Sequence, residues 1–102
     1  MHAILMPSTT GPAFKIGEKS SDPLALYLED VYTVMANLAC IPALSQPMGF
    51  AHKAGTNGED LPVGLQIYCP ALEEGRMLRI ARMYEEATEW HTHTPSMLRA
   101  AR

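Results

Sequence analysis

Residues 22–42 give the strongest structural signal in the sequence, because they contain both a helix start and a helix stop. Asp22 can accept hydrogen bonds from the amides of a first helical turn, and Pro23 suits the first helical position. The segment therefore predicts a single helix of about four turns that ends before Pro42. Apolar residues at spacings of three and four predict its buried face: Leu24, Tyr27, Leu28, Val31, Met35 and Leu38.

A second, mostly polar stripe runs along the same predicted helix and consists of Leu26, Asp30, Thr33 and Asn37. Two interpretations of this stripe remain open. It can be an ordinary solvated face, as most polar stripes are, or it can hold the Asp30 carboxylate in a polar cleft while the apolar face packs in a core. The spacing alone does not separate the two interpretations.

Composition excludes several classes of protein. The 102 residues suffice for one small domain, and the formal charge of −3 with a pI near 5.7 argues against a broad surface for nucleic acid. Cys40 and Cys69 lack the spacing of a metal site or a disulfide scaffold, which predicts reduced thiols and a cytoplasmic location. No apolar run approaches the roughly 18 residues that span a bilayer, so we expect no membrane partner.

The remaining elements are read from shorter patterns. Residues 3–6 predict a buried strand of a parallel sheet, which is expected to be either an orphan strand or the tail of something longer. Residues 43–46 and 63–68 predict two strands that pair through a hairpin at residues 57–58. Glu73 and Glu74 predict the start of a second helix. The expected inner face of that helix is Met77, Ile80, Ala81, Tyr84 and Thr88.

The sequence offers no catalytic residue or metal site of its own. None of its serines lies in a Gly-x-Ser-x-Gly turn, and no phosphate-binding loop is present. His91 and His93 have no partner at the spacing of metal ligands, so they predict a solvated segment.

Three segments in order, residues 22–50, 61–68 and 76–91, resemble the C-terminal end of amidase-signature enzymes. Residues 7–24 extend the similarity to the A subunits of glutamyl-tRNA(Gln) amidotransferases within that family. The resemblance implies an α/β fold of the α/β/α type, with a mixed sheet flanked by helices and a Lys–Ser–Ser triad. No segment here matches the triad, so residues 1–102 are expected to be a partial amidase-signature domain without its catalytic half.

The resemblance also implies a function. The A subunits release ammonia from glutamine, and a partner subunit uses the ammonia with ATP and Mg to convert Glu-tRNA(Gln) to Gln-tRNA(Gln). The expected partners are glutamine, the other subunits and, indirectly, tRNA, and this chain itself would need no cofactor. In the family, an acidic residue on the helix matching YLEDVYT binds the α-ammonium of glutamine, and by that match it is Asp30. The isolated chain is expected to be inactive.

The sequence departs from the family at a few positions. Met35 stands where relatives usually have proline, and Cys40 stands where they usually have glycine. Gln46 and Met48 also replace commoner small or apolar residues. Two alternatives remain open: part of another amidase-signature enzyme that hydrolyses a simple amide, and a non-enzymatic interaction module. Asp30 favours the amidotransferase over a simple amidase, because only an amino-acid substrate offers an α-ammonium to a carboxylate.

Overall fold

The described chain combines a sheet with helices, which confirms the predicted α/β class. The computed structural model describes residues 1–17, 22–52, 60–95 and 98. Its three strands and three α-helices, followed by a 3-10 turn at Trp90–Thr92, are β1 (Ile4–Pro7), α1 (Pro23–Glu29), α2 (Val34–Ala39), β2 (Ala43–His52), β3 (Asp60–Tyr68) and α3 (Glu74–Ala87).

The three described strands form an antiparallel sheet in the order β1-β3-β2. The prediction of a buried parallel strand at residues 3–6 is wrong. β1 runs antiparallel to β3, with Ile4 opposite Tyr68 and Pro7 opposite Leu65, and it lies at an edge of the described sheet with most of its residues exposed. An apolar run of four residues indicates a strand but carries no information about its direction, which the pairing with β3 determines.

The pairing of β2 with β3 is confirmed, although the predicted turn at residues 57–58 lies outside the described residues. β2 is longer than predicted, because it continues through Pro47 to His52. An edge strand tolerates a proline, and the register shifts between Pro47 and Gly49. Gly49 has a φ of 141°, which favours glycine, and the Trp90 ring lies 3.7 Å from where its Cβ would be.

Helix α3 covers one face of the sheet, and its predicted inner face is confirmed at its centre. Met77 and Ala81 are buried, with Ile80 and Tyr84 packed beside them. They contact the side chains that point to this face from β3 and just beyond it: Leu65, Ile67 and Cys69. The alternation of the strand sends Gln66 and Tyr68 to the opposite face, where the segment of α1 and α2 lies.

The single helix predicted over residues 22–42 is in fact two short helices. Asp22 caps α1 as predicted, since its carboxylate accepts from the amides of Leu24 and Ala25. The helical pattern tightens after Glu29, where the Asp30 and Val31 amides bond to carbonyls only three residues back. The chain then turns and restarts as α2 at Val34. Apolar spacing did not reveal this break, because a 3-10 turn preserves neighbours at a spacing of three.

The apolar face predicted for this segment is exposed in the described structure. Within the residues described, the apolar side of the sheet is already covered by α3, and α1–α2 meets the other side through its turn. The prediction that this face is buried is therefore wrong for the described residues. The exposed members are Leu24, Tyr27, Leu28, Val31, Met35 and Leu38.

Helix α2 ends at a residue in the left-handed conformation. Cys40 has φ 56° and ψ 44°, and the Ile41 amide donates to the Ala36 carbonyl at 3.3 Å, as in a Schellman ending. Glycine adopts this conformation without the steric cost that a side chain imposes. The end of α2 is therefore strained at Cys40, and Pro42 follows two residues later.

We expect Cys40→Gly to stabilise the protein by about 0.5–1 kcal/mol, because it removes the left-handed strain. A thermal melt followed by circular dichroism should show a midpoint higher by roughly 2–8 °C. Ala39→Gly is the matched control, since Ala39 is helical and glycine there should lower the midpoint. A lower midpoint for Cys40→Gly as well would show that the thiol contributes more than the strain costs.

Candidate functional site

Asp30 lies at the end of α1, and both its backbone amide and its backbone carbonyl form hydrogen bonds within the turn. Its amide donates to the Tyr27 carbonyl at 3.1 Å. Its own carbonyl accepts from the amides of Thr33 and Val34, both at 3.1 Å, and from the Thr33 hydroxyl at 3.2 Å. These bonds hold residues 30–34 in a compact turn with the Asp30 side chain on its surface.

The Asp30 carboxylate is exposed, and no hydrogen bond or ion pair reaches it within the part of the chain that the structure describes. A carboxylate accepts up to about four hydrogen bonds, so this one can bind a cationic donor without first losing a partner. The described residues do not enclose it in a cleft.

The turn is attached to the sheet through the backbone carbonyl of Tyr32. The Gln66 amide nitrogen donates to this oxygen at 2.8 Å, and the Tyr68 hydroxyl donates to the same oxygen. Both side chains come from the central strand β3 and are buried, each 4% exposed. Two buried donors therefore fix the position of the turn relative to the most enclosed strand of the protein.

The same face of the sheet contains a pair of serine hydroxyls. Ser8 Oγ and Ser45 Oγ lie 2.5 Å apart, and the Ser8 amide donates to the Gly64 carbonyl at 3.0 Å. A Cβ at Gly64 would meet these two oxygens at 2.8 and 2.9 Å, closer than side-chain carbons approach. Gly64 therefore makes room for the pair, and the pair connects both edge strands across β3.

The polar stripe predicted along a single helix is only partly preserved. Thr33 stays beside Asp30 through its hydrogen bond to the Asp30 carbonyl. Leu26 precedes the break in the helix and Asn37 follows it on α2, and no hydrogen bond links the Asn37 side chain to Asp30 among the described residues. The change from α-helical to 3-10 geometry between them removes the regular spacing on which the stripe was based.

The two histidines of the predicted solvated segment have separate partners. His91 Nε2 lies 3.9 Å from Glu85 Oε1, while the His93 ring packs 5.4 Å from Phe50 and 5.7 Å from Trp90, measured between ring centroids. Across residues 1–17, 22–52, 60–95 and 98, no cluster of three or more His, Cys, Asp or Glu side chains could hold a metal ion.

Comparison with known proteins identifies the family, since the amidase family model matches residues 1–78. The chain belongs to the amidase family. It is 52% identical over 93 residues, which are 91% of the chain, to the A subunit of the glutamyl-tRNA(Gln) amidotransferase from Pseudomonas putida. Proteins of the same name from Pseudomonas fluorescens and Pseudomonas aeruginosa are 53% and 50% identical over the same length.

The chain spans 18% of the length of these curated relatives. The family model covers the Asp30 turn, the three described strands and the start of α3. The stretch matched in the relatives corresponds to a minor part of each of them. Among its described residues, no helix is both long and apolar enough to cross a membrane.

Sequence reasoning missed the residues that hold the turn of this amidase segment in place. Gln66 and Tyr68 were assigned to a strand, and no partner was predicted for either side chain. One signal was available: Gln66 is a polar residue that alternates with Leu65 and Ile67 inside a strand, and a buried amide requires a hydrogen-bond partner. The identity of that partner, a backbone carbonyl 34 residues away, is not encoded locally.

Proposed function

We propose that this chain is part of the glutamine-hydrolysing A subunit of a glutamyl-tRNA(Gln) amidotransferase. In this proposal the chain supplies the sheet and the turn that carries Asp30 to one wall of the glutamine pocket. The Lys–Ser–Ser triad comes from outside the chain. The observation that carries the proposal is the 52% identity over 91% of the chain to a protein of that name.

The geometry of Asp30 supports the assignment of a binding role. Its carboxylate is exposed, it has no partner among the described residues, and it stands on a turn fixed to the central strand by two hydrogen bonds. Binding a substrate to this carboxylate costs little free energy, because no existing hydrogen bond must be broken and the turn is already ordered.

The role proposed for Asp30 is to bind the α-ammonium of glutamine while the side-chain amide is hydrolysed elsewhere in the pocket. The overall reaction consumes glutamine and water and yields glutamate and ammonia. Asp30 holds the end of the substrate that does not react, so it contributes to orientation and to the choice of substrate. A simple amide without an α-ammonium would gain nothing from this carboxylate.

The proposed complex extends beyond this chain. A partner subunit would use the ammonia with ATP and Mg to convert Glu-tRNA(Gln) to Gln-tRNA(Gln), in the cytoplasm and in contact with tRNA. None of the steps assigned to this chain involves ATP or Mg. The chain would contact the other subunits through the larger protein to which it belongs.

The proposal is tested with a chimera in which this chain replaces the matched stretch of the Pseudomonas putida relative. We expect the chimera, assembled with that protein's own partner subunits, to release ammonia from glutamine. The isolated chain should release none above a heat-denatured sample, because it contains no candidate for the triad.

Three outcomes would contradict this proposal. A folded chimera that hydrolyses simple amides but not glutamine would favour another amidase. A folded chimera with no amide hydrolysis at all would favour a non-enzymatic role for the chain. Ammonia release by the isolated chain would place a nucleophile within these 102 residues.

A further inference from the structure

We infer that Gln66 and Tyr68 act as positioning residues for substrate binding, by holding the turn that carries Asp30 through the Tyr32 carbonyl. The inference rests on the proposed function, since it assigns these two side chains a role in the binding of the glutamine α-ammonium. Neither side chain would touch the substrate.

Both donors converge on one acceptor, the Tyr32 carbonyl oxygen. A carbonyl oxygen has two lone pairs, so the Gln66 amide and the Tyr68 hydroxyl together satisfy the Tyr32 oxygen completely. No other hydrogen bond joins residues 30–34 to the sheet within the described structure. This oxygen is therefore the hydrogen-bonded link between residues 30–34 and the sheet, whereas the chain beyond α2 is held separately, where the Cys69 amide donates to the Pro42 carbonyl at 3.2 Å.

Little packing orders the turn in the described structure. The helices on either side, α1 and α2, have seven and six residues and contain no buried residue. Short helices with exposed apolar faces gain little from packing, so their placement follows the point at which they are attached. The attachment point is two residues from Asp30.

The binding of a charged substrate group is sensitive to small displacements of the residue that binds it. A carboxylate–ammonium hydrogen bond is short, about 2.7–2.9 Å, and weakens steeply when its geometry is poor, so a shift of about 1 Å in the carboxylate weakens substrate binding. Loss of one donor leaves the Tyr32 oxygen with its other donor, whereas loss of both leaves a carbonyl unpaired. The double variant should therefore raise KM for glutamine by more than the product of the two separate increases.

The test uses Gln66→Met, Tyr68→Phe and the double variant in the chimera, with glutamine and with ammonium chloride as nitrogen donors. We expect each single variant to raise KM for glutamine about threefold to tenfold, and the double variant to raise it at least about a hundredfold. The kcat at saturating glutamine and the rate with ammonia should stay within about twofold, because the bond that is lost affects only substrate binding.

Matched controls come from the opposite face of the sheet. Tyr84 donates through its hydroxyl to the Met48 carbonyl at 3.4 Å, and Gln46 lies near it on the α3 side. Tyr84→Phe and Gln46→Met make the same chemical changes without touching the Tyr32 oxygen. Both should leave KM for glutamine unchanged. A rise in KM equal to that of the Gln66 and Tyr68 variants would overturn the inference.

Comparison with Asp30→Asn separates this inference from the proposed function. If Asp30→Asn raises KM for glutamine but Gln66→Met with Tyr68→Phe does not, the positioning role is wrong and the proposed function stands. If Asp30→Asn has no effect on KM, the pocket role itself fails. If the positioning role and the pocket role are both right, the Gln66 and Tyr68 variants should raise KM for glutamine no further in the Asp30→Asn background. All three residues would then act through the same contact with the substrate.

Folding is checked in the same experiment. Tyr68→Phe removes a single oxygen and keeps the shape of the buried ring, so it is the variant that should disturb folding least. A loss of both glutamine-driven and ammonia-driven activity in Tyr68→Phe would show a structural role and overturn the inference.

Discussion

Asp30→Asn in the chimera is expected to weaken glutamine use by about one and a half to three orders of magnitude, measured as kcat/KM. Activity with ammonium chloride should be nearly unchanged, because ammonia bypasses the glutamine pocket. The assay therefore measures both nitrogen donors on the same preparation, with formation of Gln-tRNA(Gln) as the common product.

The size of the effect follows from the contact that is lost. A carboxylate–ammonium pair in a partly desolvated pocket contributes roughly 2–4 kcal/mol, judged from charge-assisted hydrogen bonds and from the cost of unpairing a buried charge. Asparagine keeps the size of the side chain but has no charge and presents donors as well as an acceptor. Since no hydrogen bond or ion pair reaches the Asp30 carboxylate within the described residues, its replacement should not disturb the turn.

A matched control comes from the aspartate that caps the start of the same helix. Asp22 caps α1 with its carboxylate, and asparagine is an equally good cap, so Asp22→Asn makes the same chemical change without affecting the pocket. It should leave both activities unchanged. An equal loss with glutamine and ammonia in Asp30→Asn would mean that Asp30 is structural, and the pocket assignment would have to be withdrawn.

The elements that the sequence predicted best are those with long, regular patterns. Helix α3 was predicted with its inner face because Met77 and Ala81 belong to a periodicity that holds for 14 residues. The pairing of β2 with β3 followed from a short extended stretch and an alternating stretch separated by turn residues. Four residues of β1 were too few to indicate direction, which is decided by contact with a strand about 60 positions away.

The break between α1 and α2 was missed although the sequence contains a trace of it. Position 35, where the resemblance implies a proline in relatives, lies in the first turn of α2. Proline suits the first turn of a helix and disrupts an interior, so a family proline there indicates a helix start. Because this sequence has Met35 at that position, the proline that would indicate a helix start is absent. The chain still begins a second helix at Val34.

The candidate site was predicted unevenly for a physical reason. Asp30 stood out because a carboxylate beside an apolar stripe is visible in local spacing, and the resemblance gave it a role that stays a prediction. The support of the turn by Gln66 and Tyr68 is a contact between residues 34 and 36 positions apart. Such a contact depends on how the sheet and helices pack, which local spacing does not specify.

The centre of the fold can be tested with one substitution in the 102-residue chain. Ile67 is 0% exposed, lies in the central strand between Leu5 and Leu44, and contacts the core beneath α3. We expect Ile67→Ala to lower the free energy of unfolding by about 2–5 kcal/mol, because it removes buried methyl groups and leaves a cavity that a strand held on both sides cannot close. The measurement is urea denaturation followed by circular dichroism.

Leu5→Ala is the matched control, since Leu5 lies directly opposite Ile67 and is 57% exposed. Its truncation should cost less than about 1 kcal/mol, because most of the side chain is already in water. The difference between the two losses in the free energy of unfolding separates the effect of burial from that of strand propensity. Both variants replace a large aliphatic residue in adjacent strands by alanine. Equal losses would mean that Ile67 is not the centre of the core, and that α3 does not cover the sheet as described.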